Sequence, residues 1–385
     1  MFWEKASFAW VGLLGFMRAA VGSAIILCAL TGVAEAQFEW RSGFHFPDGN
    51  GVNNNVRVLT VFDDGTGPAL YAGGEFTMAG GVPANSIAKW TGTAWAPLGG
   101  GLSAFGPLAL TGFDDGTGPA LYAGGHFIEA DGVAVNKIAK WNGTAWAPLG
   151  SGMNAAVFAL TVFDDGTGPA LYAGGGFTMA GGVPVNFIAK WTGTAWEPVG
   201  GGVDAGVKAL TVFDGALYAG GAFFHAGGVD ALRVAKWDGT AWAPLGNGLD
   251  ATPNALTVFD AALYAGGDFN PGGVAKWTGT AWEPLGSGVN CCGVSALTVF
   301  DECSGLYPAL YAGGGFDMAG GVPANRVAKW TGTAWEPLGS GLEVGDGAFA
   351  LSGFDDGTGP ALYAGGRFFI AGGVPSAFIG KWAAQ

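Results

Sequence analysis

The chain has 385 residues, half of them hydrophobic, and its 30 acidic side chains outnumber its 16 basic ones, giving a formal net charge of −14. This charge argues against nucleic acid or an anionic membrane surface as a partner. The mean hydropathy of +0.34 is high. However, no apolar run after residue 37 approaches the ~20 residues that span a bilayer, so we expect no membrane span in the mature protein.

The N-terminal segment, residues 1–36, is predicted to be a signal peptide. Ala20 to Leu30 form an apolar core, and Ala34-Glu35-Ala36 is a cleavage site with small outer residues. Translation starts at Met1 or at Met17, because Met17 also precedes a compact signal sequence. Cleavage is expected to leave residues 37–385 as a secreted or extracytoplasmic protein, at the cell surface or in the periplasm.

Residues 37–385 consist of one repeated unit. A Thr or Ser after an apolar pair marks each copy, at Thr60, Thr111, Thr161, Thr211, Thr257, Thr298 and Ser352. Successive markers are 41 to 54 residues apart by subtraction, which is typical of a propeller blade.

Each unit contains four short runs of strand-forming residues. In the first unit, strands a to d are predicted at Leu59–Phe62, Ala69–Ala72, Ile87–Trp90 and Ala94–Leu98. Gly, Pro and Asp clusters separate the runs, as in an antiparallel meander.

The loop between strands a and b behaves as a hairpin loop. It reads Asp-Asp-Gly-Thr-Gly-Pro in four units and shortens to Asp214-Gly215 and Asp260-Ala261 in the fourth and fifth. The acidic loops lack the alternating Asp spacing of calcium loops, so we predict Asp-capped turns. No cofactor and no metal is predicted.

Two tryptophans recur in each unit, at the end of strand c and the start of strand d. A two-residue turn, Thr91-Gly92, would make Trp90 and Trp95 diagonal neighbours on one face. The pair recurs at Trp141/Trp146, Trp191/Trp196, Trp237/Trp242, Trp277/Trp282 and Trp330/Trp335. We interpret it as packing between blades rather than as a carbohydrate platform. The Lys before the first Trp is expected to lie near a strand-a Asp.

These features resemble the kelch repeat. In the first unit, Gly73-Gly74, Trp90 and Trp95 carry the resemblance, which extends over nearly all of the chain after residue 37. Galactose oxidase has a kelch-like propeller, and secreted fungal cortical-marker proteins have similar repeats. The resemblance implies a β-propeller, although the copper chemistry of galactose oxidase needs a His, Tyr and Cys cluster that this sequence does not assemble.

The predicted fold is an all-β, seven-bladed propeller of four-stranded blades. The chain has seven a, b and c strands but only six complete d strands between them. Phe38 to Phe46, with Trp40, is predicted to be the seventh d strand, and the chain stops after Lys381-Trp382 at the end of a c strand. Pairing these two ends would close the ring and leave no exposed edge.

Catalytic groupings are not evident in the sequence. His45, His126 and His225 fall in blades that are not neighbours, and no nucleophile–His–acid set stands out. Cys291, Cys292 and Cys303 all fall in the sixth unit, and a vicinal disulfide or free thiols both remain open.

Positions that vary between otherwise similar repeats are the candidate ligand-binding residues. They lie two residues before the Leu of strand a and directly after the Gly-Gly of strand b, and both sets are expected on one face of the ring. The candidates are Arg57, Phe158, Lys208, Phe349, His126, Asp268 and Arg367.

The sequence therefore predicts an exported, monomeric binding or adhesion scaffold for an extracellular glycan or protein. An extracellular glycan-active enzyme, such as a lyase or hydrolase, is one alternative, and a purely structural envelope protein is another.

Overall fold

The computed structural model describes residues 37–103, 105–269, 272–290, 293–302 and 308–385. All regular secondary structure in these ranges is β-strand. The described residues accordingly contain no helix long and apolar enough to cross a membrane. The predicted signal peptide and the three cysteines of the sixth unit lie outside the described residues.

Seven four-stranded antiparallel sheets make up the fold, and each is one blade. In order of blades 1 to 7, strands a are Val56–Asp63, Pro107–Asp114, Val157–Asp164, Val207–Phe213, Pro253–Phe259, Val294–Asp301 and Leu342–Asp355. Strands b are Pro68–Gly74, Pro119–Gly125, Pro169–Gly175, Ala216–Gly221, Ala262–Gly267, Pro308–Gly314 and Pro360–Ala371. Strands c are Ile87–Trp90, Ile138–Trp141, Ile188–Trp191, Val234–Trp237, Val274–Trp277, Val327–Trp330 and Ile379–Ala384. Strands d are Trp95–Pro97, Trp146–Pro148, Trp196–Pro198, Trp242–Pro244, Trp282–Pro284, Trp335–Pro337 and, in blade 7, Phe38–Arg41.

The seven a strands form the inner ring. Each contacts the a strand of the next blade, and that of blade 7 contacts that of blade 1. The prediction of a seven-bladed propeller is confirmed.

The N-terminal strand closes the ring. Phe38–Arg41 pairs with the last strand c as the outermost strand of blade 7. Trp40 donates its indole N–H to the carbonyl of Leu338 in blade 6 at 2.9 Å, and its ring lies 5.6 Å from that of Trp382. The first and last residues of the propeller therefore complete one sheet, as predicted, although this strand d is shorter than Phe38 to Phe46.

The hydrophobic core lies between the blades. Every residue of the first strand b after Pro68 is buried. One cluster joins Phe62 and Tyr71 of blade 1 to Leu121 and Trp141 of blade 2. Because each blade is sandwiched between two others, the strands are apolar on both faces, and this accounts for the high hydropathy of the chain.

The predicted two-residue c–d turn is wrong. Trp90 lies directly opposite Trp95, with ring centroids 5.2 Å apart. The Oγ1 of Thr91 donates to the carbonyl of Ala94 at 2.9 Å and accepts from its N–H at 3.2 Å. This side-chain cap holds a four-residue loop, so the two tryptophans share a face as direct partners rather than as diagonal neighbours.

A small hairpin in the b–c segment was also absent from the prediction. Six blades carry it, and their paired strands are Met78–Ala79 with Val82–Pro83, Glu129–Ala130 with Val133–Ala134, Met179–Ala180 with Val183–Pro184, His225–Ala226 with Val229–Asp230, Met318–Ala319 with Val322–Pro323 and, in blade 7, the end of strand b with Val374–Pro375. Two residues per strand are too few to give a periodic sequence signal.

The repeated Lys lies against a carboxylate, as predicted, in five of the seven blades. Lys89 donates to Asp64 Oδ2 at 2.6 Å, and the hydroxyl of Tyr71 donates to the same oxygen at 3.0 Å. The equivalent ion pairs are Lys140–Asp115, Lys190–Asp165, Lys329–Glu302 and Lys381–Asp356. The short loops of blades 4 and 5 lack the second acidic residue, and this explains the two exceptions.

Candidate functional site

The b–c segments and the d–a segments emerge at the same edge of every sheet, because neighbouring strands are antiparallel. Isolated bridges join the two kinds of segment, for example Val52 to Ala79 and Leu102 to Ala130. We name the surface formed by these segments the b–c face. His126 and Asp268 lie in b–c segments, and the other five predicted ligand-binding residues lie in strands a or b next to these segments.

Arg57 and Phe349 meet across the boundary between blades 1 and 7. The guanidinium carbon of Arg57 lies 4.6 Å from the ring centroid of Phe349. Arg57 also donates through Nε and Nη2 to Oε1 of Glu75 at 2.8 and 2.7 Å, and Asn55 donates to the other oxygen at 2.9 Å. The strand-a position and the position after Gly-Gly in blade 1 therefore hold one connected polar cluster over an aromatic ring.

A second cluster combines three successive blades. The ammonium of Lys208 in blade 4 lies 4.0 Å from the ring centroid of Phe158 in blade 3. The ring of His126 in blade 2 meets Phe158 edge-on, with centroids 6.1 Å apart. Desolvation lowers the pKa of His126, and the nearby charges of Lys137 and Lys208 lower it further. The imidazole is consequently neutral at neutral pH, and Lys208 supplies the positive charge.

Arg367 and Asp268 do not join either cluster. Arg367 donates to Asp346 at 2.7 Å, and both side chains are exposed. Asp268 of blade 5 lies against the backbone of Gly293, and no hydrogen bond or ion pair links it to the other six candidates within the described ranges. Five of the seven predicted residues are therefore brought together as two groups.

Sequence reasoning missed the carboxylates that pair with Arg57 and Arg367. Glu75 occupies the variable position after Gly-Gly in blade 1, but nothing in the sequence shows that Arg57 binds it. Asp346 lies within a strand a that is lengthened to 14 residues in blade 7. An unusually long repeat step before Ser352 was the only signal of this extension.

The clusters are suited to binding rather than to acid–base chemistry. Their side chains are cations stacked on rings, each with a carboxylate or an imidazole beside it. Among the described residues, no three His, Asp or Glu side chains are grouped so that they could hold a metal ion.

No family model and no curated protein matches the sequence. Solved structures do match the fold. The WD40 β-propeller domain of Doa1 is 12% identical, with a TM-score of 0.51, and the match covers 90% of this chain and 97% of that domain. BBS1N, solved in complex with ARL6DN, is 14% identical with a TM-score of 0.52, covering 89% and 96%. The computationally designed Ika8 protein is 14% identical with a TM-score of 0.50, covering 91% and 100%.

These likenesses show a shared propeller architecture. The extracellular domain of a putative one-component system from B. thetaiotaomicron is also similar, with a TM-score of 0.54 and 10% identity over 89% of this chain and 39% of that one. A propeller is a rigid frame that presents loops at its two faces.

Proposed function

We propose that this protein is an exported binding scaffold that recognises an extracellular glycan or protein through the b–c face. One observation carries the proposal. At repeat positions that differ from blade to blade, two cation–aromatic pairs form between adjacent blades, Arg57 with Phe349 and Lys208 with Phe158. The surrounding scaffold positions repeat with little change, so the differences are concentrated where a ligand would bind.

The pairs are pre-organised for a ligand with an anionic or polyhydroxylated surface. Each cation–aromatic contact contributes about 0.5–1 kcal/mol at an exposed site, and Glu75 fixes the guanidinium of Arg57 in place. A sugar ring stacks on an aromatic face, and an acidic peptide pairs with the cations. Since both clusters are held by rigid strands, little side-chain entropy is lost on binding.

Export follows from the predicted signal peptide, whose cleavage would leave Gln37 as the N-terminus. N-terminal sequencing of material recovered outside the cytoplasm tests this part of the proposal. Secreted protein that still carried residues before Ala34 would contradict it.

The ligand is best sought with a glycan and peptide array probed with residues 37–385, followed by hydrogen exchange on each positive probe. We expect binding to slow exchange in the b–c and d–a segments around Arg57 and Phe158. Protection confined to the a–b and c–d loops would place the ligand on the opposite face. Turnover of a bound glycan would favour the enzyme alternative, and the absence of any binding would favour the structural alternative.

A further inference from the structure

The b–c face carries a groove between the b–c segments of blades 1 and 2. The d–a segment that joins these blades forms the floor of the groove. The volume of the groove is about 490 Å³. Its lining includes Glu75, Ser86, Leu102, Phe105, Glu129 and Asp131. Of these six, only Glu75 stands at one of the variable positions compared above.

Ser86 opens this groove because the equivalent residue is large in most other blades. The Ser86 position is occupied by Lys137, Phe187, Arg233, Arg326 and Phe378 in blades 2, 3, 4, 6 and 7. A Cβ built at Gly106 would lie 3.0 Å from that of Ser86, so the serine lies directly against the floor of the groove. Space that a long side chain fills elsewhere is left open here.

Blades 4 and 6 show what this space accepts. The Nη1 of Arg233 donates to the carbonyl of Leu249 at 2.9 Å, and that of Arg326 donates to the carbonyl of Leu342 at 2.9 Å. Leu102 is the residue of blade 1 equivalent to these two leucines, and it lines the groove. No N–H or O–H of the described residues donates to the Leu102 carbonyl.

The wall of the groove carries two carboxylates at positions where most other blades have uncharged residues. Glu129 replaces the Met found at the equivalent position of blades 1, 3 and 6, and Asp131 replaces a Gly of the hairpin turn. Asp131 adopts a left-handed φ of 51° and accepts the N–H of Gly100 at 3.0 Å. No cationic side chain lines the groove, although Arg57 forms an ion pair with Glu75 of its lining. The groove is consequently negative.

Ser86 supplies an independent indication of a ligand. The residue is 5% exposed, and its hydroxyl has no hydrogen-bond partner among the described residues. Because Ser86 lines the groove, this hydroxyl can form a hydrogen bond with a ligand there. Beside it, Phe105 is 70% exposed and stands in a d–a segment one residue longer than the equivalent segment of blade 3.

We propose that this groove binds an organic cation, a guanidinium or primary amine carried by a free small molecule, an amino sugar or a basic peptide side chain. The cationic group would take the place that the guanidinium groups of Arg233 and Arg326 occupy in their own blades. It donates to the Leu102 carbonyl and the Ser86 hydroxyl, while Glu129 and Asp131 balance its charge and Phe105 offers a cation–π face. The inference does not depend on the function proposed above.

Titration calorimetry on residues 37–385 tests the proposal with three cationic probes: L-arginine amide, spermidine and the glucosamine tetramer. The neutral N-acetylglucosamine tetramer serves as the matched probe without charge. We expect at least one cationic probe to bind and the neutral tetramer not to bind. The probe that binds distinguishes a free amine or guanidinium from an amino sugar.

Replacing a groove residue with the residue found at the equivalent position of another blade should change the groove without disrupting the fold. Ser86→Arg, the residue of blade 6, should abolish binding because the protein then supplies its own guanidinium, and it should raise the melting temperature. Glu129→Met should weaken binding at least tenfold. Asp317→Thr removes an exposed carboxylate of blade 6 from the same face and should leave binding unchanged. Failure of all three cationic probes, equal binding of the neutral tetramer, or binding that survives Ser86→Arg would overturn the proposal.

Discussion

The indole N–H of Trp146 in blade 2 donates to the carbonyl of Leu98 in blade 1 at 2.9 Å, across the boundary between the blades. The same bond recurs at Trp95 to Asn50, Trp196 to Leu149, Trp242 to Val199, Trp335 to Leu285 and Trp40 to Leu338. Trp282 of blade 5 is the exception, because its indole N–H has no partner among the described residues. In the six blades other than blade 5, the strand-d tryptophan therefore joins the blade to the preceding one by a hydrogen bond as well as by packing.

Trp146→Phe should lower the free energy of unfolding more than Trp282→Phe does. Both changes remove the same ring volume, but only the first removes a hydrogen bond, at a cost of about 0.5–1.5 kcal/mol, because the Leu98 carbonyl keeps the N–H of Gly101 at 3.1 Å. Urea unfolding of the two variants and the parent measures the difference. Equal losses would show that packing alone accounts for the conserved indole within the repeat.

The repeat made most of the fold predictable. The seven copies of the unit predicted the number of blades. Because an unpaired sheet edge is unfavourable, the absence of a seventh d strand after the last repeat predicted that the N-terminal segment with Trp40 pairs with the last strand c and closes the ring. The length of the c–d loop was harder to predict. Thr-Gly at positions 91 and 92 suggests a two-residue turn, whereas the side chain of Thr91 caps a loop of four residues. Its capping explains why the position is occupied by Thr, Asn or Asp.

The candidate site was predictable only as a set of positions. Comparison of blades identifies where residues differ, but it does not show that Arg57 stacks on Phe349 while Asp268 lies apart. The groove was missed because it arises from what Ser86 lacks. A small residue is not a recognisable sequence motif. The open space beside Ser86 becomes a groove only because the b–c segment of blade 2 lies opposite it.

Acid should destabilise the protein through its buried ion pairs. Burial raises the pKa of Asp115, but hydrogen bonds from Lys140, Thr117 and Tyr122 outweigh it and lower the pKa from 3.8 to about 2. Because the folded-state pKa is the lower one, this carboxylate stabilises the fold above about pH 4, and the contribution is lost as the pH falls from there toward 2.

Asp115→Asn should therefore cost about 2 kcal/mol at pH 7 and make unfolding less dependent on pH between 4 and 2. The measurement is urea unfolding across that range. Asp317→Asn is the comparison, because that side chain is 59% exposed and should matter little. A variant with the pH profile of the parent would contradict the assignment.

Deletion of residues 37–47 should open the ring between blades 1 and 7. The deletion removes strand d of blade 7 together with Phe44, which is buried against Trp90 and Tyr363. The edge of strand c of blade 7, Ile379–Ala384, would then be exposed, so we expect aggregation or loss of a single cooperative transition. Size-exclusion chromatography and thermal unfolding report this, and an equally stable monomer would refute the closure.

Calcium should have little effect on folding. In the first loop, Oδ1 of Asp63 accepts the N–H groups of Gly65 and Gly67, and Asp64 binds Lys89 and Tyr71. These oxygens already have partners, and blades 4 and 5 fold with shorter loops. Melting curves in calcium and in chelator should coincide, whereas a shift of more than a few degrees would show that the loops bind the ion.

The most direct test of the binding role is the affinity of the Arg57→Ala/Phe349→Ala double variant for a ligand identified on the array. Both residues lie in blades 1 and 7 on the b–c face, and their partly exposed side chains contribute little to the core. We predict loss of binding with a melting temperature close to that of the parent. Binding that survives this change, but is lost when the a–b loops of the opposite face are altered, would contradict the account.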